Sequence, residues 1–107
     1  MLELAVRNLV HNAISYNVLG GRVSVLAQHE GDCAIIVVEN DGLELASETV
    51  DRLVEPFYRA NVRTYEGDHH GLGLAMVDSV ARAHHGELRL SAREAGGLRV
   101  EMKILDA

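Results

Sequence analysis

The chain has 107 residues, 48% of them hydrophobic and 24% charged, with ten Lys and Arg against sixteen Asp and Glu for a net charge of −6. A single domain of this size buries about two-thirds of the surface its unfolded chain exposes, enough for a core, and the acidity argues against non-specific adhesion to nucleic acid or to an anionic membrane. No apolar run approaches the roughly 20 residues needed to cross a bilayer, and no signal-peptide pattern opens the chain. Cys33, the only cysteine, sits in the apolar run "CAIIVV", so a buried reduced thiol and a cytoplasmic location are expected.

From Leu2 to Tyr16 the apolar positions Leu2, Ala5, Val6, Leu9, Val10 and Ala13 recur at helical spacing. Asn8, Asn12 and Ser15 form a row along the edge of that stripe. "LGG" breaks the helix, "RVSVLAQ" alternates as a strand, and "HEGD" turns. "CAIIVVE" is continuously apolar, the pattern of a central strand covered on both faces. After "NDG" a short helix is expected, with Ser47 or Thr49 as its cap, Leu53 pointing inward and Pro56 ending it. Residues 59–70, "RANVRTYEGDHH", show no periodicity and predict a mobile loop. A second long helix follows, with Leu74, Val77, Val80, Ala81 and His84 on its buried face. "ELRLSAR" and "LRVEMKIL" alternate on either side of "EAGG" and predict a hairpin.

The order is helix, two strands, short helix, loop, helix, two strands. It predicts an α/β two-layer sandwich, a mixed, mostly antiparallel sheet packed against three helices. The chain opens directly in a helical pattern and closes just after a strand-like one, as one domain over residues 1–107 of a longer protein would.

Two glycines two residues apart open the second long helix, although glycine costs about 1 kcal/mol per helical position relative to alanine. Close helix packing is one reason for them. The other is that bare N–H groups at a helix N-terminus can meet a phosphate. Their neighbours in the sequence favour the second.

Four stretches stand in fixed order: "RNLVHNAISYN", "VENDG", "EPFYR" and "HGLGLAMV". In that order they resemble the N, G1, F and G2 boxes of the ATP-binding catalytic domain of bacterial sensor histidine kinases, within the wider group of gyrase, Hsp90 and MutL (the Bergerat-type ATP-binding fold). The resemblance spans essentially the whole chain, and it implies ATP and Mg²⁺ as cofactors. It matches Asn12 to the residue whose side-chain oxygen holds the metal, a hard cation that keeps several waters and suits one amide oxygen plus phosphate oxygens. Tyr16 matches an aromatic beside the adenine; packing at the core edge is its alternative role. Ser15 stands where the family usually has Lys or Arg to reach a phosphate.

Relatives that hydrolyse ATP with water, or phosphorylate serine, place a glutamate base four residues before the metal-binding Asn. That position is Asn8 here, which takes no proton at neutral pH and remains only a nucleotide-side contact. No catalytic residue is therefore assigned within the chain. The resemblance supplies the nucleophile from outside, as a histidine on a separate dimerisation domain that passes the phosphoryl group to a response regulator. It implies no nucleic acid partner and no direct membrane contact for this domain.

In the second stretch Gly42 matches the first glycine of the family's D-x-G-x-G. Asn40 then stands where the adenine-reading Asp belongs, and Glu44 where the second glycine belongs. A neutral acceptor at Asn40 predicts weaker ATP binding, and an amide free to rotate predicts poor discrimination against GTP. Asp41, one residue off the motif, is expected to matter little for ATP. Arg59 and Arg63 match phosphate contacts, for which the guanidinium fork is suited. The Gly71, Leu72, Gly73, Leu74 run matches the stretch with which the family wraps the triphosphate, which implies backbone N–H groups and helix dipole directed at it. His84 reads as a satisfied core histidine, His85 as a helix-end residue, and His69 and His70 as possible phosphate neighbours from the loop. Two other readings stay open: an inactive nucleotide-binding module that works through protein contacts, favoured by Ser15, Asn40 and Glu44, and a self-sufficient ATPase or serine kinase, disfavoured by Asn8.

Overall fold

The computed structural model describes residues 2–15, 17–55 and 73–105. Seven elements follow in order: α1 (Leu2–Ser15), β1 (Val23–Glu30), β2 (Cys33–Asn40), α2 (Ser47–Arg52), α3 (Gly73–Ala83), β3 (Glu87–Ala92) and β4 (Leu98–Leu105). The four strands form one sheet in the order β1-β2-β4-β3, and every pairing among them is antiparallel. The three helices complete the expected two-layer α/β sandwich.

The core lies between the sheet and α1 and α3. Ala5, Leu9 and Ala13 recur every fourth residue on α1, and Leu74, Val77, Val80 and Ala81 supply α3. Val38 of β2 and Leu98, Val100, Met102 and Ile104 of β4 close it from the sheet. Leu9, Met102, Val38 and Val77 are the largest side chains with essentially no exposure, each stabilising the fold by about 1.5–3 kcal/mol relative to leaving it in water.

The continuous apolar run of β2 has a different basis from the one its pattern suggests. Ala34, Ile36 and Val38 face the helices, whereas Ile35 and Val37, each 5% exposed, lie outside the helix-side core. The register sets Ile35 against Lys103 and Gln28, and Val37 against Glu101 and Leu26. Long side chains on this outer face thus cover two aliphatic residues with their stems while keeping their charged heads in water. Arg99 pairs there with Glu39 at 3.3 Å and Glu101 at 3.6 Å, and Lys103 with Glu30 at 3.9 Å. At the sheet's edge β1 pairs only with β2, and its alternation buries little: Val25 and Leu26 are 53% and 54% exposed. Cys33 is half-buried and reduced.

Two helix ends differ from expectation. The cap position of α2 is Ala46, whose carbonyl accepts the N–H of Val50, so Ser47 falls inside the first turn and its hydroxyl turns to Glu48. At the end of α3 the N–H of Gly86 reaches the Ala81 carbonyl at 2.8 Å and that of His85 reaches Arg82 at 3.1 Å. This double closure places a left-handed residue at the end of the helix, ordinarily glycine. Here it is His85, at φ 58°. Gly86 is required for another reason: a Cβ there would run into the Lys103 carbonyl oxygen of β4. His84, half-buried, is satisfied through Nδ1 and the Val80 carbonyl at 2.9 Å.

Candidate nucleotide site

Helix α1, which carries Asn8 and Asn12, packs against α3 and against β2. Asn40 ends β2 two residues after Val38, so its side chain shares the helix-facing side of the sheet. Gly73 opens α3. Three of the four singled-out stretches therefore meet on one side of the sheet. Tyr16, Phe57, Arg59, Arg63, His69, His70, Gly71 and Leu72 lie outside the described residues, as does the loop expected over 59–70.

Asn12 is not at the edge of the apolar stripe but inside it, 3% exposed. Among the described residues its amide has no hydrogen-bond partner, an arrangement that costs free energy unless something else satisfies the group. Asn8, one turn earlier and half-buried, behaves differently: its amide nitrogen donates to the Leu4 carbonyl at 2.9 Å, within its own helix. Leu74 is buried in the core, so only its backbone is left for a ligand. Glu44 is exposed on the loop after β2.

Asn40 is likewise 3% exposed. Its Nδ2 donates to the Asp41 carbonyl at 2.8 Å, and Oδ1 has no partner among the described residues. Rotating this amide would set two carbonyl oxygens against each other and forfeit the hydrogen bond. The free rotation on which the expected tolerance of GTP depends is therefore opposed, and Oδ1 is left as the acceptor, suited to an amino group.

Asp41 has a task of its own. Its Oδ2 accepts the Arg22 N–H at 2.9 Å, its Oδ1 accepts Arg93 Nη1 at 2.9 Å, and its N–H donates to the Arg22 carbonyl at 3.0 Å. Arg93 Nη1 also reaches the Asn40 carbonyl at 2.9 Å. From the same β3–β4 connection, the Gly97 N–H donates to the Leu43 carbonyl at 2.9 Å. The tip of the hairpin is thus clasped onto residues 40–43.

The hydrogen bond from Arg93, and after it the backbone N–H of Arg22, hold the Asp41 carboxyl below its ordinary value of 3.8. Protonating Asp41 therefore costs the folded state more than the unfolded chain. Its contribution to stability is complete above that ordinary value and is lost as pH falls through the lower folded one. Urea midpoints of the parent and Asp41→Asn should differ by a constant amount from pH 7 to about pH 5 and converge below pH 3.8. A gap that stays constant down to pH 2.5 would show that the carboxylate is not the stabilising group.

The chain belongs to the family described as histidine kinase-, DNA gyrase B- and HSP90-like ATPases, which matches residues 1–107. Within that family it is a histidine kinase-type ATPase domain of the sensor-kinase kind. It is 45% identical over 100 residues to the sensor protein CutS of Streptomyces coelicolor, covering 92% of this chain and 24% of that protein. It is 33% identical over 91 residues to the heme sensor protein HssS of Staphylococcus aureus, covering 85% of this chain and 19% of that one. The chain thus spans a quarter or less of the length of these relatives. Among solved structures it superposes on the mycobacterial sensor histidine kinase MprB with a TM-score of 0.80 at 28% identity, over 94% of this chain and 69% of that one. Full-length ShkA, solved in complex with AMPPNP, shares the fold, with a TM-score of 0.78 at 23% identity over 96% of this chain and 21% of its own.

Proposed function

We propose that residues 1–107 are the catalytic domain of a sensor histidine kinase, which binds ATP·Mg²⁺ and presents the γ-phosphoryl group to a histidine on a separate dimerisation domain, from which a response regulator receives it. The observation that carries this reading is the pair of buried acceptors, Asn12 and Oδ1 of Asn40, that have no partner among the described residues and lie on the side of the sheet where α3 begins with Gly73. An unsatisfied amide oxygen fits a hard divalent cation, so Asn12 would hold Mg²⁺. Bound there, the ion would neutralise phosphate charge. Asn40 would accept the adenine amino group, with Tyr16 beside the ring. The backbone of Gly42, Gly71, Leu72, Gly73 and Leu74 and the guanidinium groups of Arg59 and Arg63 would surround the nucleotide. Asn8 spends its amide on its own helix and offers no base, which fits a nucleophile delivered from another domain.

Phosphoryl transfer tests this directly. The chain, mixed with labelled ATP·Mg²⁺ and a separately produced histidine-bearing dimerisation domain from a sensor kinase of this family, should yield an acid-labile, base-stable label on that domain. Nucleotide binding without transfer to any such domain would instead support the inactive module to which Asn40 and Glu44 point. Steady phosphate release by the chain alone would support a self-sufficient ATPase.

A further inference from the structure

We propose that Arg93 is a positioning residue for purine recognition: reaching from the β3–β4 connection to Asp41 and to the Asn40 carbonyl, it locks the Asn40 amide with its oxygen outward, so that the site takes a 6-amino purine nucleotide and refuses a 6-oxo one. The inference rests on the nucleotide-binding reading above, and it concerns a residue outside all four boxes.

The geometry is specific. One nitrogen, Nη1 of Arg93, lies 2.9 Å from Asp41 Oδ1, 2.9 Å from the Asn40 carbonyl and 3.4 Å from the Gly96 carbonyl. The guanidinium side chain is only 26% exposed, so the contact is partly shielded from water. Asn40 is thereby held by its main-chain oxygen, through Arg93, and by its side-chain nitrogen, through the Asp41 carbonyl. Asp41 is in turn fixed at both carboxylate oxygens, by Arg22 and by Arg93. The Asp41 carbonyl that orients the amide belongs to the next peptide, the one to Gly42. It is bracketed by the Asn40 carbonyl and Asp41 carboxylate, both held by Arg93, and by the Leu43 carbonyl, held by the Gly97 N–H, and this bracket opposes its turning away. An amide oxygen facing the base accepts from an adenine amino group and repels the carbonyl of guanine. Without Arg93 the Asp41 peptide is released from the hairpin, the amide is freer to rotate, and its NH₂ can face a 6-oxo group.

The test compares ATP·Mg²⁺ and GTP·Mg²⁺ affinities of the 107-residue chain by calorimetry. The parent should prefer ATP, and Arg93→Ala should narrow that preference about tenfold, an effect the size of one charge-assisted hydrogen bond. Arg93→Lys, which keeps a charged head with three N–H donors, should remain within about threefold of the parent preference. Arg89→Ala, which removes an exposed pair with Glu87, should leave it unchanged. If Arg93→Ala does not fold, Asp41→Asn, which keeps the side chain's size but loses one of its two acceptors, must narrow the preference instead. A folded Arg93→Ala or Asp41→Asn chain with the parent's preference overturns the proposal. ¹⁵N relaxation of the Asn40 side-chain amide without nucleotide reads the orientation directly: it should be rigid in the parent and mobile in Arg93→Ala, and equal rigidity in both also overturns it. A parent chain that binds no ATP·Mg²⁺ would refute the proposed function, and the relaxation measurement would still decide whether Arg93 holds Asn40.

Discussion

Gly97→Ala is expected to destabilise the fold severely by adding a single methyl group. Gly97 has φ 89°, a region that an L residue enters at a cost of roughly 1–2 kcal/mol. Its added Cβ would also collide with the Asn40 carbonyl oxygen and lie 2.9 Å from both the Asn40 and Asp41 carbonyl carbons. These are backbone atoms, so no side-chain rotation relieves the contact. The hairpin tip must lift, stretching the Gly97 N–H bond to Leu43, worth about 1 kcal/mol, and pulling Arg93 from Asp41. The expected loss is about 3–4 kcal/mol, a fall of at least 12 °C in Tm for a domain of this size. Gly31→Ala is the control. Gly31 also has a positive φ, of 62°, but nothing lies within 4 Å of its would-be Cβ, so only the conformational cost remains. Thermal melts followed by circular dichroism give both values. Equal Tm losses for the two variants would mean that the hairpin does not press on residues 40–43.

That contact also marks where the sequence stops being readable. The two long helices, β2 and the β3–β4 hairpin follow from periodicity, because burial on one side of a regular element repeats at 3.6 or 2 residues. "EAGG" announces a tight connection between strands, but not that it presses against a loop more than fifty residues earlier. Arg93 looks like one more charged residue at the end of an alternating strand, and only the sheet order, with β4 next to β2, brings it to Asp41. The apolar run of β2 misleads in a similar way: Ile35 and Val37 are buried on the outer face between cross-strand neighbours of mixed character, Lys103 and Gln28, Glu101 and Leu26, and the pattern of a strand between two layers is indistinguishable from that. Val25 and Leu26 show the reverse, strand-forming residues at an edge where little covers them. Of the candidate site, motif spacing singles out Asn12 and Asn40 as positions, but not their burial, because the edge of a helical stripe and its interior differ by one residue. The hold that fixes the Asn40 amide was not legible, because hydrogen bonds between distant loops leave no period in a sequence.

Asn12→Ala should separate stability from binding in a way that a merely structural asparagine would not. The residue is 3% exposed on a helix, and its amide has no partner among the described residues. Replacing it with alanine removes an unsatisfied buried polar group, whose presence costs about 1–3 kcal/mol. It also adds roughly 0.5 kcal/mol of helix propensity. Against these gains stands the small cavity left where the amide was, a loss of about 1 kcal/mol for a group of that size. The Tm is therefore expected to hold or to rise by a few degrees. Over the same substitution the affinity for ATP·Mg²⁺ should fall by about tenfold or more, as the loss of one inner contact to a divalent ion would give. The affinity for ATP without Mg²⁺ should change little. Stability kept and function lost is the signature of a group held in place for a ligand rather than for the fold. Differential scanning calorimetry and titration with and without Mg²⁺ measure both sides. A variant that melts lower than the parent and binds ATP·Mg²⁺ equally well would make Asn12 a packing residue. The buried amide would then require a partner other than the metal.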